Sequence, residues 1–215
     1  MKKFLLLLCM GSLLFACNSE KTKDDTKVDT EKKTEETSTA DTKPMPDSAT
    51  MMKNWQDYAT PSEMHKMMAA WDGNWEGEVT MWMPGSPEQK SKSTTVNKMI
   101  FNGLYQESTH SGNMMGAPFN GKSTLGYDNH RKEFVSTWID NMGSGIMVMK
   151  GTWDEATKTM NLKGTVVDPG TKEDCNVRET FKIVDANTQE MEMFGPDPTT
   201  GKEMKTMQII FRRKG

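Results

Sequence analysis

From residue 74 to residue 213 the chain reads as ten short strand-like segments, with turn chemistry between neighbours and no helix-period stretch among them. The segments are 74–83, 91–101, 104–110, 121–128, 133–140, 145–153, 158–167, 175–184, 188–194 and 203–213. Pro84-Gly85-Ser86-Pro87, Asn102-Gly103, Asp128-Asn129, Gly143-Ser144-Gly145, Asp168-Pro169-Gly170, Asp185-Ala186-Asn187 and Pro196-Asp197-Pro198 mark breaks between them. These residue types supply the pre-bent or left-handed backbone that tight turns require. Strands joined this closely pair antiparallel, because a parallel pair needs a crossover of roughly a dozen residues. The pattern therefore predicts an all-β antiparallel up-and-down meander. Closing it into a barrel of about ten strands removes the two exposed edges of an open sheet. A two-sheet sandwich is the alternative.

One helix is expected just before the first strand. Thr60-Pro61-Ser62-Glu63 reads as a capping box with Thr60 at the N-cap, Pro61 at the first helical position and Glu63 at the third. Met64, Met67, Met68 and Trp71 follow at helical spacing, and Asp72-Gly73 ends a helix of about three turns.

A short helix, Gly73-Asn74-Trp75 at the first strand, and a final strand ending in arginine together resemble the calycin barrels: lipocalins, fatty-acid-binding proteins and nitrobindin-like haem barrels. The resemblance implies a barrel closed at one end by the short N-terminal helix. It also implies that Trp75 plugs that end, with a basic residue of the last strand over its ring. Met207, Ile209 and Phe211 alternate along 203–213, and Arg213 continues their face. Trp75 and Arg213 are thus expected to be structural.

"PSEMHKMMAAWDGNWEGE", "GAPFNGKSTLGYDNHRKEFVSTWIDNMGSG" and "IIFRRKG" are also similar to the bacterial family catalogued as domain of unknown function 1579. The middle block is the most specific, with Gly121, Gly126-Tyr127-Asp128 and Thr137-Trp138-Ile139-Asp140. This resemblance implies a calycin-like, often exported protein and carries no mechanism with it.

The start of the chain bears on location. Lys2 and Lys3 precede an apolar run from Phe4 to Phe15, shorter than the roughly 20 residues that cross a bilayer. The run ends in Leu14-Phe15-Ala16-Cys17, which resembles a bacterial lipobox. The expected layout is a lipoprotein signal peptide at 1–16, a lipidated Cys17 with a disordered polar tether over 17–54, and a barrel domain at 55–215. Residues 18–50 hold one branched aliphatic residue, Val28, and no aromatic, too little to offset the entropy of ordering. The expected protein is exported and held at the cell envelope, at the outer membrane, by the lipid on Cys17. Asp24-Asp25 resemble acidic signals for surface exposure; the plainer reading is a solvated charge run.

A formal net charge of −3 with no basic stripe excludes nucleic acid as an expected partner. Cys9 belongs to the signal and Cys17 to the lipid, so Cys175 has no disulfide partner and reads as a packed thiol. No catalytic constellation is recognisable, and the chain reads as a binding protein rather than an enzyme. Asp128 and Asp140 flank one hairpin and invite comparison with a carboxylate pair, although both also fit turn chemistry. The three histidines, His65, His110 and His130, lack metal-ligand spacing. A haem- or metal-binding barrel using His110 or His130 is the alternative reading; otherwise no cofactor is expected.

Methionine is abundant, at 21 residues. Met81 and Met83, Met147 and Met149, and Met191 and Met193 each put two thioethers on one strand face. Thioethers suit Cu(I), but separate strands and few histidines favour an adaptable apolar lining. Met81, Met83, Tyr127, Trp138, Asp140, Met147 and Met149 are the candidate ligand-binding residues, with Tyr127, Trp138 and Asp140 at the rim. The expected ligand is small and mainly apolar, governed by Met and Trp with no carboxylate involved. A packed barrel acting as an envelope interaction protein is the remaining alternative.

Overall fold

The computed structural model describes residues 44–215. The signal peptide, Cys17 and most of the tether lie outside them. Two helices come first, α1 (Ser48–Ala59) and α2 (Glu63–Ala69). Ten strands follow: β1 (Gly73–Met81), β2 (Gln89–Ile100), β3 (Tyr105–Met114), β4 (Ala117–Asp128), β5 (Glu133–Asp140), β6 (Met147–Asp154), β7 (Thr159–Val167), β8 (Asp174–Asp185), β9 (Thr188–Pro196) and β10 (Glu203–Arg213). A single 3-10 turn, Phe101–Gly103, joins β2 to β3. All ten strands expected from the turn chemistry are present, and they close into one antiparallel barrel in which each pairs with its sequence neighbours and β1 pairs with β10. The sandwich alternative is set aside.

Two helical details differ from expectation. The end of the tether is helical: Asp47 caps α1 by accepting the Thr50 N–H at 2.8 Å, and none of the α1 residues is buried. Thr60 is also not the N-cap of α2. The residue before a proline is pushed to extended backbone, and Thr60, at φ −91° and ψ 127°, ends α1 instead, its hydroxyl donating to the Gln56 carbonyl at 2.7 Å. Ser62 takes the N-cap, and the third helical position falls on His65, whose Nδ1 accepts the Ser62 N–H at 3.0 Å. The helix is two turns long rather than three.

α2 lies at the barrel end where β1 starts and β2 and β4 finish. Met68 and Trp71 enter a core with Leu125, Phe134, Met149, Met160 and Leu162. Asp72 anchors the crossing into β1 by accepting the Met99 N–H at 2.9 Å and the Gln106 side-chain amide at 2.9 Å. Trp75 is 1% exposed and donates its indole N–H to the Trp71 carbonyl at 3.0 Å. Arg213 covers its ring, with Cζ 4.3 Å from the centroid. This end is closed. The other end carries the loops at 82–88, 115–116, 141–146, 168–173 and 197–202.

Candidate ligand-binding lumen

Strand alternation and register together assign the inner wall. Trp75 pairs with Arg213 on one side and Thr95 on the other; Thr95 pairs with His110, His110 with Gly121, and Gly121 with Asp140. Because the strands tilt, this one row climbs from the closed end at Trp75 to the open mouth at Asp140. The next row joins Asn97, Ser108, Ser123 and Trp138.

The mouth is built around Trp138. Its ring stacks on Phe119 at 6.1 Å and meets His110 at 4.9 Å. Gly121 makes room for it: a Cβ there would stand 2.5 Å from the indole. The indole N–H donates to Asp140 Oδ2 at 2.7 Å, and Asp140 Oδ1 accepts the Met142 N–H at 2.8 Å and the Gly143 N–H at 3.2 Å. Asp140 thus holds the tryptophan and the following turn in place.

His110 faces inward, and its Nδ1 lies 2.9 Å from the Thr95 hydroxyl. Burial pushes its pKa down to about 4, so the ring is neutral near physiological pH. Around it the inner faces of β2 to β5 carry small polar groups, among them Ser93, Thr95, Ser108, Ser123 and Ser136. The opposite wall is apolar, with Val79, Met191, Met193, Ile209 and Leu162. Polar side chains interrupt it at Gln189, 2% exposed on β9, and at Glu179. On β8, Val177, Phe181 and Ile183 pack against the core, so Glu179 between them points the same way. Its register partners are Leu162 on β7 and Met193 on β9. Burial pushes the Glu179 carboxyl up to about 7.

These inward side chains are not sealed. Trp138, Met147, Glu179, Met191, Met193 and Ile209 are all only half-buried, while Met149 and Leu162 below them are 1% exposed. A side chain on the inner face of a closed barrel keeps accessible surface where it meets the open mouth or an unfilled part of the lumen. A separate groove of about 480 Å³ lies on the outer wall over β1 to β3, lined by charges of both signs such as Glu76, Glu78, Lys92 and Arg212, and is not this lumen.

The structure separates the residues singled out from the sequence. Trp138, Asp140, Met147 and Met149 lie on the inner face, and Met81 ends β1 on that face beside Met207. Met83 does not share a strand with Met81, because β1 stops at Met81. Tyr127 is not at the rim; it sits at the closed end, 4.9 Å from Phe134 and 5.9 Å from the buried His65. Asp128 and Asp140 lie at opposite ends of the β4–β5 hairpin, since Asp128 pairs with Glu133 and Asp140 with Gly121. Asp128 closes its turn by accepting the His130 and Arg131 N–H groups, each at 2.8 Å. His130 is exposed in that closed-end turn, so no haem in the lumen reaches it. His110 alone keeps the position that reading requires. Cys175 is half-buried, and burial raises its thiol pKa, helped by Asp168 and Asp174.

Glu179 and the serine-rich wall were missed. The signal was present, as Val177-x-Glu179-x-Phe181-x-Ile183 sets one carboxylate in an apolar alternation. In "SKSTTVNK" and "QESTHSGN", by contrast, both faces are polar, so no inner face stands out.

The family described as protein of unknown function (DUF1579) matches residues 60–213. The chain belongs to this family. No curated protein matches it. Among solved structures, the crystal structure of Rv2717c from M. tuberculosis is similar, with a TM-score of 0.57 and 11% identity over 73% of this chain and 100% of that one. The S-type phycobiliprotein lyase CPES from Guillardia theta aligns with a TM-score of 0.50 and 9% identity over 74% of this chain and 97% of that one. At such identities the likeness establishes the shared calycin-like barrel, and the family adds no activity to it.

Proposed function

We propose that this protein is a membrane-anchored envelope lipoprotein, held by a lipidated Cys17, whose barrel binds one small, mainly apolar ligand. The observation that carries the binding reading is the half-burial of Trp138, Met147, Met193 and Ile209 on the inner face of a closed barrel. Apolar lining with a few placed polar groups is the usual make-up of a small-molecule site. The likeness to a structure named as a phycobiliprotein lyase supports the same reading at the level of fold. The anchoring reading rests on the Leu14-Phe15-Ala16-Cys17 motif.

Native mass spectrometry of the purified protein, followed by organic extraction, tests the binding reading. A released small molecule together with saturable uptake of a fluorescent fatty acid is the expected result. A bare mass and no uptake would favour the packed interaction protein instead. The haem alternative now rests on His110 alone, and an absorbance scan near about 400 nm after haem titration decides it. For the anchor, labelled palmitate should enter the wild-type chain and not Cys17→Ser.

A further inference from the structure

Glu179 presents a chemical problem that the apolar ligand alone does not solve. A carboxylate inside a barrel is costly unless a cation or several donors meet it. Among the described residues, no hydrogen bond or ion pair reaches its carboxylate. Arg213, Asp140, His110 and His65 are already engaged elsewhere. Arg213 donates to the carbonyls of Asp72 at 2.5 Å and Ala70 at 2.8 Å while covering Trp75. Asp140 holds Trp138 and its turn, and His110 is tied to Thr95. His65, at the closed end, accepts from Ser62.

The setting of Glu179 points to a ligand. It stands on β8, five strands from β3 in either direction around the ten-strand ring, so it faces the wall that carries His110 and the serines. Its direct neighbours, Leu162 and Met193, offer no donor. It nevertheless keeps accessible surface and is not packed away. The inner wall therefore presents one uncommitted carboxyl between Leu162 and Met193.

We infer that Glu179 is the recognition residue for a basic nitrogen, so that the barrel selects an amphipathic ligand with an apolar body and a protonated amine or amidinium group. This rests on the reading of the barrel as a ligand-binding protein. The charge-assisted contact would supply the partner that the folded chain withholds from Glu179. The serine wall, on this view, serves the remaining polar edge of the ligand.

The test compares three fluorescent probes with one naphthalene body: dansylcadaverine, which ends in a primary amine, its uncharged pentyl counterpart, and dansyl-aminohexanoate, which ends in a carboxylate. Titrations are run on the full chain at about pH 8, where both the amine and Glu179 carry charge. Wild type should bind the amine at least about tenfold more tightly than the other two. Glu179→Gln, which changes charge and not volume, should abolish that preference. A melting curve confirms that the variant is folded, and the comparison of probes on wild type stands without any variant. Equal binding of amine and uncharged probe by wild type would overturn the role of Glu179 and leave the binding barrel intact. Saturable binding of no probe would overturn both.

Discussion

The Arg213 guanidinium lies 4.3 Å over the Trp75 ring while two of its nitrogens donate to the carbonyls of Asp72 and Ala70. One side chain of the last strand therefore fastens the plug of the barrel and the turn leading out of α2. Register sets this up, because Arg213 is the direct β10 partner of Trp75. Trp75→Ala should destabilise the domain by about 3 to 5 kcal/mol, as truncation of a core aromatic does. Arg213→Ala should cost less, and the two losses should not add. A double-mutant cycle in denaturant measures the coupling; strict additivity would show that the contact carries no energy.

The pH dependence of stability should carry two opposed slopes. His110 takes up its proton only near about 4 when folded, against 6.5 in an open chain, so its contribution is full above 6.5 and is lost as pH falls toward 4. His65, lowered by burial, acts in the same direction. Glu179 works the other way: the folded carboxyl keeps its proton up to about 7, against 4.5 unfolded, so stability is lost as pH rises through that window. Glu179→Gln should remove the second slope and gain about 2 kcal/mol over wild type above neutrality, with the water that Glu179 reaches already discounted. Thermal melts of both proteins from acid to mildly alkaline pH provide the check. A difference between them that does not change with pH would contradict the carboxyl's environment.

Gly121 should tolerate no side chain. A Cβ would stand 2.5 Å from the Trp138 ring, so Gly121→Ala must push the indole off Phe119 and His110. The expected cost is about 1 to 3 kcal/mol, the range for overpacking, with a shift in tryptophan emission. Gly143→Ala, where a Cβ meets nothing within 4 Å, is the matched control and should behave as wild type.

The two methionines of β6 should separate stability from binding. Met149 is 1% exposed inside the core, so Met149→Lys buries an unpaired charge and should unfold the domain or cost several kcal/mol. Met147 is half-buried nearer the mouth, where a lysine chain can reach solvent. Met147→Lys should therefore fold and lose uptake of the fluorescent probe. Equal effects of the two substitutions on the melting temperature would argue against an open lumen at Met147.

Strand number and strand order were legible in the sequence, because turns need particular residue types and short turns leave antiparallel pairing as the only connection. The Trp75 plug and its arginine were anticipated as well, through the resemblance of Gly73-Asn74-Trp75 and the terminal arginine to the calycin barrels. The cap of α2 was not: two residues competed for it, and the proline between them decided by restricting Thr60, which tied off a helix that local composition had not announced. The lining of the lumen was hidden for a different reason. Alternation says which residues share a face, but on strands polar on both sides it does not say which face turns inward. Only closure of the ring fixed that, sending Tyr127 to the plugged end and Trp138 to the mouth of the same hairpin, and turning His110 and Glu179 toward one another's walls from strands that lie far apart in the chain.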